Sequence, residues 1–141
     1  MGRTGLGALV IAAVALGGCS SLDVFSKAPP PVAPNIFPSD YRNEILSTLN
    51  VKLVDPTNVR DAGISDPVLM QVSEQDQRYA VCVRFNPRDI NRQYTGEEER
   101  IAYFYGGHLN QLVPATAGQC KTAIYKPWPE LEKNCQAKKC S

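Results

Sequence analysis

From Gly5 to Gly18 the chain carries no charged residue, and this apolar run stops at a cysteine, Cys19. Ahead of it, Met1 to Thr4 holds a single positive charge at Arg3. A basic start, a short apolar stretch and small residues before a cut describe a secretory signal. A membrane-spanning helix needs roughly 20 apolar residues, and this run is shorter and contains glycines that weaken a helix. A soluble amphipathic helix fits no better, because the segment is apolar on every side. Folding is therefore expected to begin downstream, in a stretch of about a hundred residues that buries only around two-thirds of its unfolded surface.

The run Leu16-Gly17-Gly18-Cys19 resembles the lipobox of bacterial lipoproteins. That resemblance implies removal of residues 1–18, acylation of the Cys19 sulfur and acylation of the new amine. Ser20 and Ser21 follow, with no aspartate at the second mature position; in lipoproteins of the enteric type this implies an outer-membrane protein facing the periplasm. One acyl chain holds a protein only reversibly, and each buried methylene adds about 0.8 kcal/mol, so two or three chains form a lasting anchor. The membrane, reached through Cys19, is the first expected partner.

Arg3 is the one charged residue of the leader, so its removal leaves 14 basic against 14 acidic side chains. A neutral chain lacks the basic excess of a nucleic-acid binder, and no nucleic-acid partner is expected. Residues 19–38 read as the lipidated cysteine and a tether: Ala28-Pro29-Pro30-Pro31-Val32-Ala33-Pro34 and Pro38 favour an extended polyproline spacer, with Ile36 and Phe37 beginning to dock. Residues 39–135 read as one domain and 136–141 as a tail.

With Cys19 set aside, Cys82, Cys120, Cys135 and Cys140 remain. An even number in an exported chain points to two disulfides in one of three connectivities. A four-thiolate zinc site is the competing reading, but only Cys135 and Cys140 approach ligand-pair spacing, so no metal or other cofactor is expected.

Ser39 or Asp40 can cap a helix in which Tyr41, Ile45 and Leu49 recur every four residues, Leu46 widens the stripe and Asn50 makes a stop. Asp55-Pro56 reads as a turn or a short helix start. Val59 to Ile64 reads as a strand and Val68 to Val72 as an uncertain second piece. The clearest strand is Tyr79 to Phe85, with Tyr79, Val81, Val83 and Phe85 on one face and Ala80, Cys82 and Arg84 on the other. Arg100–Tyr105 and His108–Val113 form a hairpin across Gly106-Gly107, with Tyr103 expected opposite Asn110 and Ile101 opposite Leu112. Lys121 to Tyr125 reads as a last strand, and Glu130 to Lys133 as a short helix whose Leu131 shares a face with Cys135. The expected class is α+β: an N-terminal helix on a small antiparallel sheet of 3–5 strands, with a C-terminal helical tail tied by a disulfide to Cys82 or Cys120.

Leu53-Val54-Asp55-Pro56-Thr57-Asn58-Val59, Val81-Cys82-Val83-Arg84-Phe85-Asn86 and Tyr94-Thr95-Gly96 together resemble small exported bacterial proteins of uncharacterised function. The resemblance implies a helix, a turn at the Asp-Pro pair, a Cys-bearing strand and a Tyr-x-Gly loop, and carries over no activity.

His108 is the single histidine. Beside the tight turn it reads as an exposed or half-stacked neighbour of Tyr105. Glu97-Glu98-Glu99 reads as a solvated turn. There is no nucleophile elbow, metalloprotease helix or phosphate loop. Arg84, Asn86, Arg88, Asp89, Arg92 and Tyr94, at one strand's end and in the loop after it, are the candidate ligand or partner surface. The expectation is a non-enzymatic, lipid-anchored envelope protein that binds or supports an envelope protein or cell-wall partner. An envelope hydrolase or carbohydrate-active enzyme using His108 and acidic residues is the alternative.

Overall fold

The computed structural model describes residues 35–134; the leader, Cys19, most of the tether, Cys135 and Cys140 lie outside the described residues. In chain order the elements are α1 (Tyr41–Lys52), β1 (Asp55–Ile64), β2 (Val68–Ser73), β3 (Asp76–Arg88), β4 (Glu98–Tyr105), β5 (His108–Pro114), β6 (Lys126–Pro127) and α2 (Pro129–Glu132). They build one six-stranded antiparallel sheet in the order β5-β4-β3-β1-β6, with β2 also paired on β3.

The expected α+β class with 3–5 strands is therefore corrected to a mainly β protein, 47% strand and 16% helix. The extra strand content was hidden because bulges break the period-two pattern. In β1 the register on β3 slips between Asp55 and Arg60 and again between Arg60 and Gly63, and Asn58 and Asp61 take positive φ. Asp55-Pro56 is thus strand, not turn or helix start. The hairpin shows the same device. Tyr105 opposes His108 and Phe104 opposes Leu109, but Tyr103 then opposes Gln111 and Ala102 opposes Leu112. Asn110 is the extra residue, and it lets Leu109 and Leu112, three apart, both turn to the core. Gly106 and Gly107 supply the two positive φ values that the tight turn needs.

β1 and β2 lie end to end along the same side of β3. At the break, Ser65 stays in the ladder: its N–H donates to the Cys82 carbonyl at 2.9 Å, and its hydroxyl accepts from the Cys82 N–H at 2.9 Å. Asp66-Pro67 then starts β2.

Each face of the sheet has its own cover. On one, Ile45 and Leu49 of α1 pack with Val81, Val83 and Phe85 of β3, Phe104 of β4, Leu112 of β5, and Trp128 and Leu131 near α2. The apolar stripe of α1 does what its spacing requires, although the helix runs past Asn50 to Lys52. Asp40 sits at its N-cap, where its carbonyl accepts the Glu44 N–H at 3.1 Å but its side chain caps no backbone N–H; the carboxylate instead accepts from the Asn43 side-chain amide at 2.6 Å.

On the other face Ala80, Cys82, Ile101 and Cys120 form a smaller cluster with Met70, Tyr103, Ala115, Ala123 and Tyr125. Its cover is the irregular segment from Ala115 to Tyr125, stapled by the Cys82–Cys120 disulfide. The expected strand at Lys121 to Tyr125 is not formed; β6 comes later and is two residues long. The expected tie between α2 and a disulfide is corrected as well. Cys120 holds this cover, while α2 is held by buried Leu131 and by Glu132, which accepts the Ala62 N–H at 3.0 Å.

Candidate binding surface

The strand end and loop picked out by sequence lie together, held by bonds to β1 and within their own loop. Arg88 reaches Asp55 at 2.6 Å and donates to the Thr57 hydroxyl at 3.3 Å. Partial burial works to raise the Asp55 pKa, yet the Thr57 hydroxyl and amide and the Arg88 charge outweigh it and hold the carboxyl below its usual value. Asp89 folds its own loop, accepting the N–H groups of Asn91 at 2.8 Å and Gln93 at 2.9 Å. Asn86 accepts the Gly96 N–H at 3.0 Å. Tyr94 donates to the Asn58 carbonyl at 2.9 Å, with the Arg60 guanidinium 4.1 Å above its ring. Arg92 takes φ 62 in the turn.

Asn86, Arg88, Asp89 and Tyr94 thus use side-chain polar atoms within the fold. Arg84 is apart from them. It lies over the Tyr125 ring at 4.7 Å, beside Gly63, where an added Cβ would stand 3.2 Å from both residues. Burial, then the hydrogen-bonded Glu99 carboxylate, push the Tyr125 phenol well above its usual pKa, so it stays a donor. The glutamate run is corrected from a solvated turn: Glu98 and Glu99 belong to β4, Glu98 accepting from Arg100 at 3.1 Å and Glu99 from Tyr125.

His108 is exposed, as expected beside the turn. Its Nδ1 meets Glu44 Oε1 at 3.1 Å, and the other carboxylate oxygen accepts the Leu109 N–H at 2.5 Å. Glu44 thereby fastens the hairpin to α1. The cleft next to it is open and lined by Asp40, Asn43, Glu44, Ser47, Thr48 and Leu109. Among the described residues no cluster of three His, Cys, Asp or Glu could hold a metal ion, and no helix is long and apolar enough to cross a membrane.

The surface that sequence reasoning passed over is β2. Its six residues, Val-Leu-Met-Gln-Val-Ser, contain no charge and no proline, and none is buried. Val68, Leu69 and Val72 are 58%, 43% and 46% exposed. The strand pairs only with β3, from Val68 opposite Ala80 to Ser73 opposite Asp76. On its outer side, among the described residues, no backbone partner is present. A groove of roughly 240 Å³ adjoins it, floored by Ala80 and Cys82 and walled by Val68 and Met70 on one side and by Gln119, Ala123 and Ile124 on the other. Ile124 is 80% exposed. The signal was there in the uncharged run after Pro67, but a strand of this length is equally common in a core. Only the sheet order shows that it lies outermost.

Compared with known proteins, the chain matches no family model, no curated protein and no solved structure.

Proposed function

We propose that this chain is a lipid-anchored cell-envelope protein acting as a non-enzymatic binding module, which takes up an extended segment of an envelope partner along the outer edge of β2. One observation carries the reading: an apolar, uncharged strand lies at a sheet edge that, among the described residues, is guarded only near its end, by a bulge between Gln71 and Ser73. Proteins normally blunt such edges with lysine, proline, bulges or covering segments, because a bare edge recruits strands. Main-chain hydrogen bonds to an added strand supply affinity, and alternate side chains entering a neighbouring groove supply selectivity. The groove walled by Met70 and Ile124 has that position.

The anchor and the spacer support the same role. Acylation at Cys19 keeps the module at the membrane surface, and the proline-rich stretch sets its reach, at about 3.1 Å per extended residue. His108 and Glu44 are assigned to clamping the hairpin on α1, where both carboxylate oxygens are engaged.

A photo-activatable side chain in place of Gln71, introduced in the producing cells, tests the docking edge. Adducts are expected from this position and none from Val113 on the opposite edge. Equal labelling from both, or none from Gln71, would sink the reading. Intact-mass analysis tests the anchor separately: loss of residues 1–18 with acyl mass on Cys19 is expected, and an unmodified Cys19 overturns it.

A further inference from the structure

We infer that Cys135 and Cys140 close a second disulfide with each other, a modification site at the end of the chain and separate from Cys82–Cys120. The pairing requires only export to a compartment where disulfides form, whatever β2 binds.

The fold removes the other pairings. In β3, Cys82 lies between Val81 and Val83. Those two valines belong to the core under α1, whereas Cys82 joins Ala80, Ile101 and Cys120 on the far face of the sheet. Its sulfur is already bonded to that of Cys120, and the two cysteines are only 6% and 4% exposed. A thiolate displaces a disulfide sulfur only by reaching it. Both sulfurs are therefore closed to a third thiol while the domain stays folded.

Cys135 starts from the other layer. Helix α2 stops at Glu132, so the helical face expected to join Leu131 and Cys135 does not place the cysteine. Asn134 does. Its N–H donates to the Leu131 carbonyl at 3.3 Å, and its side-chain amide donates to the Asn50 side chain and to the Pro56 carbonyl at 3.4 Å. Leu131 itself is fully buried in the core under α1. Consecutive Cα atoms stand about 3.8 Å apart, so Cys135 begins beside the end of α1, with the sheet between it and Cys82. A bridge needs Cα atoms within about 6.8 Å, and that layer separates them.

The two thiols left in the chain flank Gln136-Ala137-Lys138-Lys139. No proline there fixes the backbone against a turn. Groups joined by so short a link meet at an effective concentration of about millimolar, above that of separate copies in dilute solution, so Cys140 finds Cys135 before a second chain. Closure is a thiol–disulfide exchange with a disulfide-bearing oxidant. The Cys140 thiolate attacks one sulfur of the oxidant, and the Cys135 thiolate then attacks the Cys140 sulfur and expels the oxidant's remaining half. The cysteines lose two protons and two electrons, and the oxidant leaves as two thiols. Cys82–Cys120 requires an oxidant of the same class.

The test takes the mature chain from the producing cells, alkylates it in denaturant without reduction and cleaves it after lysine. No label is expected on Cys82, Cys120, Cys135 or Cys140, and the peptide beginning at Asn134 should be joined through sulfur to Cys140-Ser141. Gentle reduction of the folded protein should open the tail pair first, with a gain of two hydrogens, because Cys82–Cys120 is shut beneath its cover. Cys135→Ser should expose Cys140 to label and leave Cys82–Cys120 closed. Labelled Cys135 and Cys140 in the unreduced wild type, a link from either to Cys82 or Cys120, or a chain-to-chain link on non-reducing electrophoresis overturns the inference. If Cys82 and Cys120 are bridged while the tail thiols are labelled, only the tail pair falls. If all four are labelled, export to an oxidising compartment falls with it, whereas the docking edge is judged separately by labelling from position 71.

Discussion

β5 and β2 both run along the outside of the sheet with one strand neighbour each. On β5 the outer edge is occupied. Asn110 is bulged out of register and takes a hydrogen bond from Arg78 at 3.1 Å. Glu44 holds the Leu109 N–H, Lys52 donates to the Leu112 carbonyl at 3.2 Å, and Pro114 ends the strand. On β2, among the described residues, such devices are confined to the far end, where a bulge lies between Gln71 and Ser73 and the Gln71 side chain donates to the Ser73 carbonyl. The difference teaches where a second strand can be added. An edge whose polar groups are spent on side chains is closed, whereas one left with its ladder groups and apolar side chains bare is open.

The staple beneath the open edge offers the largest effect. The Cys82–Cys120 link spans 38 residues, and releasing a loop of that size costs about 4 kcal/mol in chain-entropy terms. The double variant Cys82→Ala/Cys120→Ala should lower the denaturant midpoint accordingly and loosen the groove beside β2. A midpoint unchanged by reduction would show that the Ala115 to Tyr125 cover needs no staple.

Next comes a matched pair, one leucine on each edge. Leu112 is 4% exposed, so Leu112→Ala should cost about 2–4 kcal/mol. Leu69 is 43% exposed, and Leu69→Ala should cost less than about 1 kcal/mol in the monomer. Equal losses would erase the distinction between a closed and an open edge.

An internal reference lies away from both edges, at Asp55 and Arg88. Because the Asp55 pKa is held below its usual value, its contribution is present above the unfolded value of about 3.9 and is lost as pH falls through the lower folded value. Asp55→Asn should cost about 1–2 kcal/mol at neutral pH and flatten the stability curve below pH of about 4. A parallel curve for wild type and variant would remove the ion pair from the account. The smallest effect is expected for Lys52→Ala, about 0.5 kcal/mol from one exposed-side hydrogen bond. Its more telling readout is exchange of the β5 amides, which should quicken if Lys52 helps to close that edge.

Local pattern carried some of this far. The four-residue repeat of Tyr41, Ile45 and Leu49 marked the core side of α1, the alternation from Tyr79 to Phe85 assigned both faces of β3, and Gly106-Gly107 located the hairpin. Cys82 and Cys120 were candidates, but no spacing rule chose between three connectivities. Pattern failed where bulges intervened. Asn58 and Asp61 adopt positive φ, which let polar, irregular sequence from Asp55 onward serve as strand, and Asn110 shifted the hairpin register after two pairs. The Arg84 to Tyr94 group is only partly loop, because β3 runs on past Phe85 through Asn86 and Arg88; its inward use of Asp89, Asn86 and Tyr94 depends on partners such as Asn58 and Gly96 that only folding brings near.

Residue order alone therefore determined the helix stripe, the central strand, the turn and the four thiols, because each is set by neighbours a few positions apart. Tertiary structure decided which thiols meet, how bulges set register, and which apolar strand lies outermost. Those depend on sheet order, and a short uncharged run reads the same whether one or both of its edges are paired.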